Sequence, residues 1–238
     1  MCSYTCTTSM SESESEIRCS GNDSKFYTDA ETYWRNVTPT VDGMLGGFAK
    51  ISPADIDGSK AFLRPFLKIS GGKTNNGRAL DCGSGIGRIT KRLLLPMFQT
   101  VDMVDVNPNF LEQAKSFVGE ESSRIDKVIC SGLQHFSPEP GQYDVIWCQW
   151  VLGHLFDDDF VSFFRRCQIG LAPNGLICVK DNMASGKEKD FDKEDSCYTR
   201  PLPDYVQLFK KSGLTIVKQQ KQKGFPKGLY DVYMFALK

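Results

Sequence analysis

The sequence predicts an α/β fold: a mostly parallel, seven-stranded sheet with helices on both faces, preceded by an N-terminal helical extension. Three observations predict it. From residue 78 onward, short apolar runs alternate with segments of helical periodicity, the pattern of repeated βαβ units. The first of these runs leads into a glycine-rich turn, Gly83-Ser84-Gly85-Ile86-Gly87, that opens a helix. The run 143–150 is largely apolar, as expected of a buried strand.

The elements follow in order. Residues 1–24 are poor in large apolar side chains and include Ser11-Glu12-Ser13-Glu14-Ser15-Glu16, which reads as a disordered tail. A helix is expected over about 25–36, broken by Thr38-Pro39-Thr40. An apolar loop with three glycines, Val41-Asp42-Gly43-Met44-Leu45-Gly46-Gly47, follows and needs something to pack over. A second helix is expected near 58–69, then a flexible connector at 71–77. Residues 25–70 therefore read as a helical lid and 78–238 as a Rossmann-like core. Within the core, strands are expected at 78–83, 101–105, 124–130, 143–150, 175–181, 214–219 and 230–237. Helices are expected at 87–95, stopped by Pro96; at 108–118, opened by Pro108; at 157–171; and at 203–212, ended by Gly213.

Lys+Arg and Asp+Glu balance at 29 each, so no global charge draws the chain to nucleic acid or to an anionic membrane. No apolar run is long enough to span a bilayer, and no secretion signal is read. Nine cysteines lack CxxC or zinc-finger spacing, the usage expected of reduced thiols inside a cell.

The motif Ala79-Leu80-Asp81-Cys82-Gly83-Ser84-Gly85-Ile86-Gly87-Arg88 joins a strand to a helix. Its glycines permit a tight turn and close approach of a ligand. Their spacing is G-x-G-x-G, whereas a dinucleotide fingerprint is G-x-G-x-x-G, and an acid, Asp81, stands just ahead. An acid suits the ammonium of S-adenosylmethionine better than a pyrophosphate. Asp105, ending the next strand, is placed to accept both ribose hydroxyls. Leu133 and Gln134 follow the third strand and would flank an adenine. Arg88 would pair with a cofactor carboxylate. Ligands in open parallel sheets lie beyond the carboxyl ends of the strands, which puts Gln149, Trp150, His154 and Asn182 on the chemical side. The loop after Asn182 carries Asp190, Asp192, Glu194 and Asp195, a rim able to receive a basic substrate.

These residues resemble the protein N-terminal (α-N) methyltransferases, class I S-adenosylmethionine-dependent enzymes that modify proteins beginning X-Pro-Lys after Met removal. The likeness covers about 25–238. Its distinctive strings are Tyr33-Trp34, the segment 40–47, Asp144-Val145-Ile146-Trp147 with Gln149-Trp150, Gly153-His154-Leu155 and Lys180-Asp181-Asn182. The resemblance implies cofactor contacts by Gly83, Arg88, Asp105, Leu133, Gln134 and Gln149. It implies a peptide channel lined by Trp34, Leu45, Gly46, Trp150, Asn182, Asp192, Asp195 and Tyr230. Within it Asn182 would hold the α-amine, Trp150 would face the second-position proline, and His154 and Asp195 would guide the proton. It implies no metal, and a location in nucleus and cytoplasm. One departure is Cys197, where the family commonly has the second of two serines after the acid; Ser196 is the first. The competing readings are a lysine or small-molecule methyltransferase, a non-catalytic Rossmann-like binding module, and a dehydrogenase, the last disfavoured by the glycine spacing.

Overall fold

A computed structural model describes residues 21–238. Of the expected tail, residues 1–20 lie outside the described residues, and helix α1, Gly21–Asn36, begins a turn earlier than its sequence suggests. The sheet has seven strands: β1 (Arg78–Cys82), β2 (Thr100–Asp105), β3 (Ile125–Cys130), β4 (Tyr143–Gln149), β5 (Leu171–Met183), and two later strands, Ile216–Lys221 and Asp231–Leu237. A short hairpin, β6 (Asp190–Asp192) and β7 (Cys197–Thr199), precedes those two, which are therefore β8 and β9. The order is β3-β2-β1-β4-β5-β9-β8. Pairings among β1–β5 are parallel, and β9 runs antiparallel to both neighbours.

Because β1 sits between β2 and β4, the strand order reverses there, and the crevice beyond the carboxyl ends of β1 and β4 is the expected ligand position. Strand β4 is buried at every residue, and its side chains alternate between two cores. Val145 and Trp147 pack with Phe62, Leu63, Leu93 and Leu94 on one face. Ile146 and Cys148 pack with Phe160, Phe164, Tyr205 and Phe209 on the other. The first face is covered by α3 (Ser52–Leu63) and α4 (Pro108–Val118), the second by α5 (Asp157–Gly170) and α6 (Leu202–Lys211). Each fully buried Leu or Phe contributes about 1.5–3 kcal/mol, so these two layers dominate the stability of the frame.

Four local expectations change. The helix expected near 58–69 is α3, which starts at Ser52 with Pro53 in its first turn and gives way to 3₁₀ turns at Arg64–Phe66 and Lys68–Ser70; Pro65 has no N–H to continue the ladder. The glycine loop at 41–47 contains the short helix α2 (Val41–Met44), capped by Thr40, whose Oγ1 accepts from Gly43 N at 3.1 Å. The helix after the glycine turn includes a π turn at Thr90–Leu94, closed by Leu95 N donating to Thr90 O. The acidic loop after β5 contains the β6–β7 hairpin. Among the described residues, no helix is long and apolar enough to cross a membrane.

Asp81 does not face the crevice as its sequence position suggested. It is buried within β1, accepts a 2.6 Å hydrogen bond from Thr90 Oγ1, and does not line the cleft. Burial pushes its carboxyl up to about 6. A folded-state acid pKa above the unfolded value means the fold disfavours the ionised form, so stability is lost as pH rises from about 4 through about 6. Asp81→Asn removes that cost while keeping an acceptor for Thr90. The stability of Asp81→Asn relative to the unsubstituted protein should rise by about 2–3 kcal/mol between pH 4 and pH 7, read from denaturant unfolding at each pH. A flat difference contradicts a buried, reluctant carboxylate.

Candidate active site

The glycine turn after β1 lines the crevice and is packed so closely that two of its positions admit no side chain. Gly83 has φ +69°, and a Cβ there would lie 2.5 Å from Val151 Cγ2. Gly85 has φ +52°, and a Cβ there would meet Met44 Sδ at 2.6 Å. Asp105, at the end of β2, fixes this turn. Its Oδ2 accepts from Gly85 N and its Oδ1 from Asn107 N, both at 2.8 Å. Each oxygen keeps a lone pair for a ligand hydroxyl. Desolvation holds this carboxyl above its ordinary range, with the N–H groups opposing.

All six residues expected to touch the cofactor line a single cleft: Gly83, Arg88, Asp105, Leu133, Gln134 and Gln149. The segment bearing Leu133 and Gln134 is held from α5 by Arg166, which donates to the carbonyls of Leu133, Gln134 and Phe136 at 2.8–3.1 Å. The cleft is also lined by Tyr27, Met44 and Phe110, which sequence reasoning did not single out. The fit to S-adenosylmethionine rests on the glycine cradle, on Asp105, and on Ser84 Oγ, a buried hydroxyl in the cleft wall with no hydrogen-bond partner.

Arg88 and Gln149 are tied to a residue the sequence gave no reason to notice. Asp55 of α3 is fully buried. It receives Arg88 Nη1 at 2.6 Å, Lys180 Nζ at 2.5 Å and Gln149 Nε2 at 2.9 Å. Lys180 Nζ also donates to Asp55 O, Ser59 Oγ and Gln222 Oε1. Burial lowers the Lys180 pKa, and Asp55 opposes that shift. Arg88 thus meets the cleft as part of an ion pair, with its guanidinium 5.5 Å from the centre of the Trp150 ring.

A second cavity adjoins the first, and Trp34, Met44, Trp150 and His154 line both. Leu45, Asn182, Asp195 and Tyr230 line the second cavity as expected, together with Asp181, Cys197, Phe225 and Leu229. Two expected residues do not line it. Gly46 is an exposed turn residue at φ +53°. Asp192 is exposed on the hairpin, its Oδ1 accepting from Glu194 N. Tyr230 donates to Asp190 at 3.2 Å. Trp150, directly after β4, has φ +53° and a buried indole N–H without a partner. A bulky residue in the left-handed region is strained, and here the strain turns the ring onto the wall between the cavities.

His154 is the sharpest revision. Its Nε2 accepts the Trp34 indole N–H at 3.0 Å, and its Nδ1 stands 3.2 Å from Ser196 O. An indole only donates and a carbonyl only accepts, so the ring is neutral with its proton on Nδ1. Burial pulls its pKa down to about 4. Its two nitrogens are occupied, and it can accept a proton only after Trp34 turns away. Asp195 is different. Burial first, then Asp192 and Glu194, push its carboxyl up to about 6, and its Oδ1 is buried without a hydrogen-bond partner. Ser196, at φ +53°, makes the bend that presents its carbonyl to His154.

Comparisons with known proteins bear on the family and the fold. The profile of the family described as AdoMet dependent proline di-methyltransferase matches residues 22–238. The chain is 53% identical over 218 residues to the Xenopus laevis protein named N-terminal Xaa-Pro-Lys N-methyltransferase 1-A, covering 91% of this chain and 97% of that one. It is 54% identical over 214 residues to the Danio rerio protein named N-terminal Xaa-Pro-Lys N-methyltransferase 1, covering 90% and 95%. A solved SAM-dependent methyltransferase from Leishmania major superposes with a TM-score of 0.83 at 39% identity, covering 90% of this chain and 83% of that one.

Asp105→Ala should weaken S-adenosylmethionine binding by about 2–4 kcal/mol, the range for truncating one side of a buried polar contact. Calorimetry on a variant shown to be folded by circular dichroism reads this directly. Unchanged affinity would remove Asp105 from the site.

Proposed function

The chain belongs to the AdoMet dependent proline di-methyltransferase family and is an S-adenosylmethionine-dependent methyltransferase; we propose that it methylates the free α-amine of proteins beginning X-Pro-Lys after Met removal. The observation that carries this reading is the pair of cavities meeting at Trp34, Trp150 and His154. One cavity has the glycine cradle and Asp105; the other opens between an aromatic wall and an acidic hairpin. S-adenosylmethionine supplies an electrophilic methyl on a sulfonium, which an amine lone pair accepts in line. The chain's own residues then have to deliver a neutral amine to the shared wall and keep water out of it.

Magnitudes favour Asp195 over His154 as the first proton acceptor. A protein α-amine titrates near ~8. Moving its proton to a carboxyl of pKa about 6 is uphill by about 3 kcal/mol, and to an imidazole of pKa about 4 by about 5 kcal/mol. Asn182 lines the same cavity and offers a carbonyl that can orient the amine. Trp150 supplies the flat surface for the second-position proline, and Trp34 and Leu45 line the same cavity. Once Trp34 is displaced by substrate, the freed His154 Nε2 is available to help carry the proton away. The exposed Asp192, with Asp190 and Glu194 on the same hairpin region, meets the third-position Lys at the rim. That contact is solvent-exposed, so it tunes selectivity by about 1 kcal/mol or less, while the channel wall sets the rest. The protein substrate is the partner; nucleic acid and membrane are not. Following the family resemblance, the nucleus and cytoplasm are the proposed locations.

The test compares X-Pro-Lys peptides that are free and N-terminally acetylated, with labelled S-adenosylmethionine. Methyl incorporation should appear only with the free amine. Replacing the third Lys by Gln should lower kcat/KM, and Asp192→Asn should shrink the Lys/Gln ratio by about two- to fivefold. Label on the acetylated peptide would move the reaction to a side chain, the lysine-methyltransferase alternative.

A further inference from the structure

We propose that the peptide cavity is also a binding site for a thiophilic divalent metal ion, of which Zn²⁺ is the type, and that the bound ion shuts out the peptide. Among the described residues one group of metal-ligating side chains comes together: His154, Asp195 and Cys197, whose ligand atoms all lie within 4.8 Å of one another. Imidazole, carboxylate and thiolate together are a donor set suited to zinc, which takes N, O and S ligands in a tetrahedron and leaves a fourth position for water. Bonds of about 2.0–2.3 Å put tetrahedral donors about 3.5 Å apart. Closing the present spread therefore needs side-chain rotations of about 1 Å and no change of fold.

The local backbone favours this set. Cys197 Sγ reaches His154 because the residue beside the histidine is a glycine: a Cβ on Gly153 would lie 2.3 Å from that sulfur. The Nδ1–H of His154 is directed at Ser196 O, which is the outer partner that fixes a ligating histidine in the tautomer whose Nε2 binds metal. Asp195 Oδ1 is buried without a hydrogen-bond partner, so a cation there would satisfy it. The present occupant of Nε2 is the Trp34 indole at 3.0 Å; metal binding displaces it. The thiol gives up its proton to solvent as the S–metal bond forms, with no change of oxidation state.

The consequence for activity rests on the proposed function: all three ligands line the cavity assigned to the peptide, so a bound ion stands where the substrate amine would be delivered.

The experiment titrates the full-length protein with Co²⁺ as a spectroscopic stand-in for zinc, beside Cys197→Ser and Asp195→Asn. These variants share every other cysteine, so differences report the cavity. The unsubstituted protein should take up one equivalent that gives a thiolate-to-cobalt charge-transfer band with tetrahedral ligand-field absorption. Cys197→Ser should lose the charge-transfer band, and Asp195→Asn should bind at least tenfold more weakly with the band retained. In a parallel assay, Zn²⁺ should raise the KM for an X-Pro-Lys peptide, and Cys197→Ser should need at least tenfold more zinc for the same rise. A band that survives in Cys197→Ser, or no band in the unsubstituted protein, overturns the site. A band with an unchanged peptide KM at saturating metal overturns the blocking role. If no peptide is methylated, the proposed function fails, and the cobalt titration still decides the metal site.

Discussion

A buried carboxylate, Asp55, holds helix α3 of the N-terminal extension onto the ligand side of the sheet. It lies in α3, and its partners come from distant parts of the chain: Arg88 after the glycine turn, Gln149 at the end of β4, and Lys180 in β5. Two buried cations and one carboxylate would be costly if any member were missing. Removing one partner of a buried pair commonly destabilises by about 3–5 kcal/mol, because the remaining charge is stranded. The cluster is satisfied here by further hydrogen bonds, from Trp147 to Gln149 and from Lys180 to Ser59 and Gln222. This dense polar satisfaction is what such a network needs to favour one arrangement over others.

That arrangement determines the two cavities. With α3 fixed, the loop before it is held close to the crevice, Met44 sits against Gly85, and Trp34 reaches His154. Asn107, the cap of α4, adds a second tie by donating to Trp34 O at 2.8 Å. The wall shared by the cavities is therefore built from two segments more than a hundred residues apart in sequence: Trp34 and Met44 from the extension, Trp150 and His154 from the segment after β4. An enzyme of this kind needs its two ligands end to end with water excluded between them, and a wall contributed by two segments distant in sequence provides a place where one can yield to substrate.

Much of the frame was legible because it is written in local patterns. Glycines at 83, 85 and 87, the apolar run of β4, Pro108 at the start of α4, and Asp105 at a strand end are short-range signals, and the elements they mark lie within a residue or two of their expected places. The residues expected to touch the cofactor line one cleft for the same reason: they lie at or just beyond the carboxyl ends of neighbouring strands. What local patterns do not reveal is which polar group finds which partner. Asp55 lies 94 positions from Gln149 and 125 from the Lys180 it receives, and nothing near it in sequence marks it as a hub. Asp81 was misread for the complementary reason. Its neighbours suggested a ligand, while its strand register turned it inward to Thr90. His154 was placed in the right cavity, but its protonation depends on Trp34 and Ser196, which are remote or unremarkable in sequence. Asp192 and Gly46 belong to the right segments and face solvent, each within a run of exposed residues that no local pattern marks.

The central claim is that the Asp55 cluster couples the extension to the cofactor face. Native-state hydrogen exchange on Asp55→Asn tests it most directly. Asn leaves Arg88 and Lys180 buried without their anion, so amides of α3 and of the segment 85–95 should lose protection together, while those of β2, β3 and α6 keep theirs. Undiminished protection of α3, or loss in α3 with none in 85–95, would contradict the coupling.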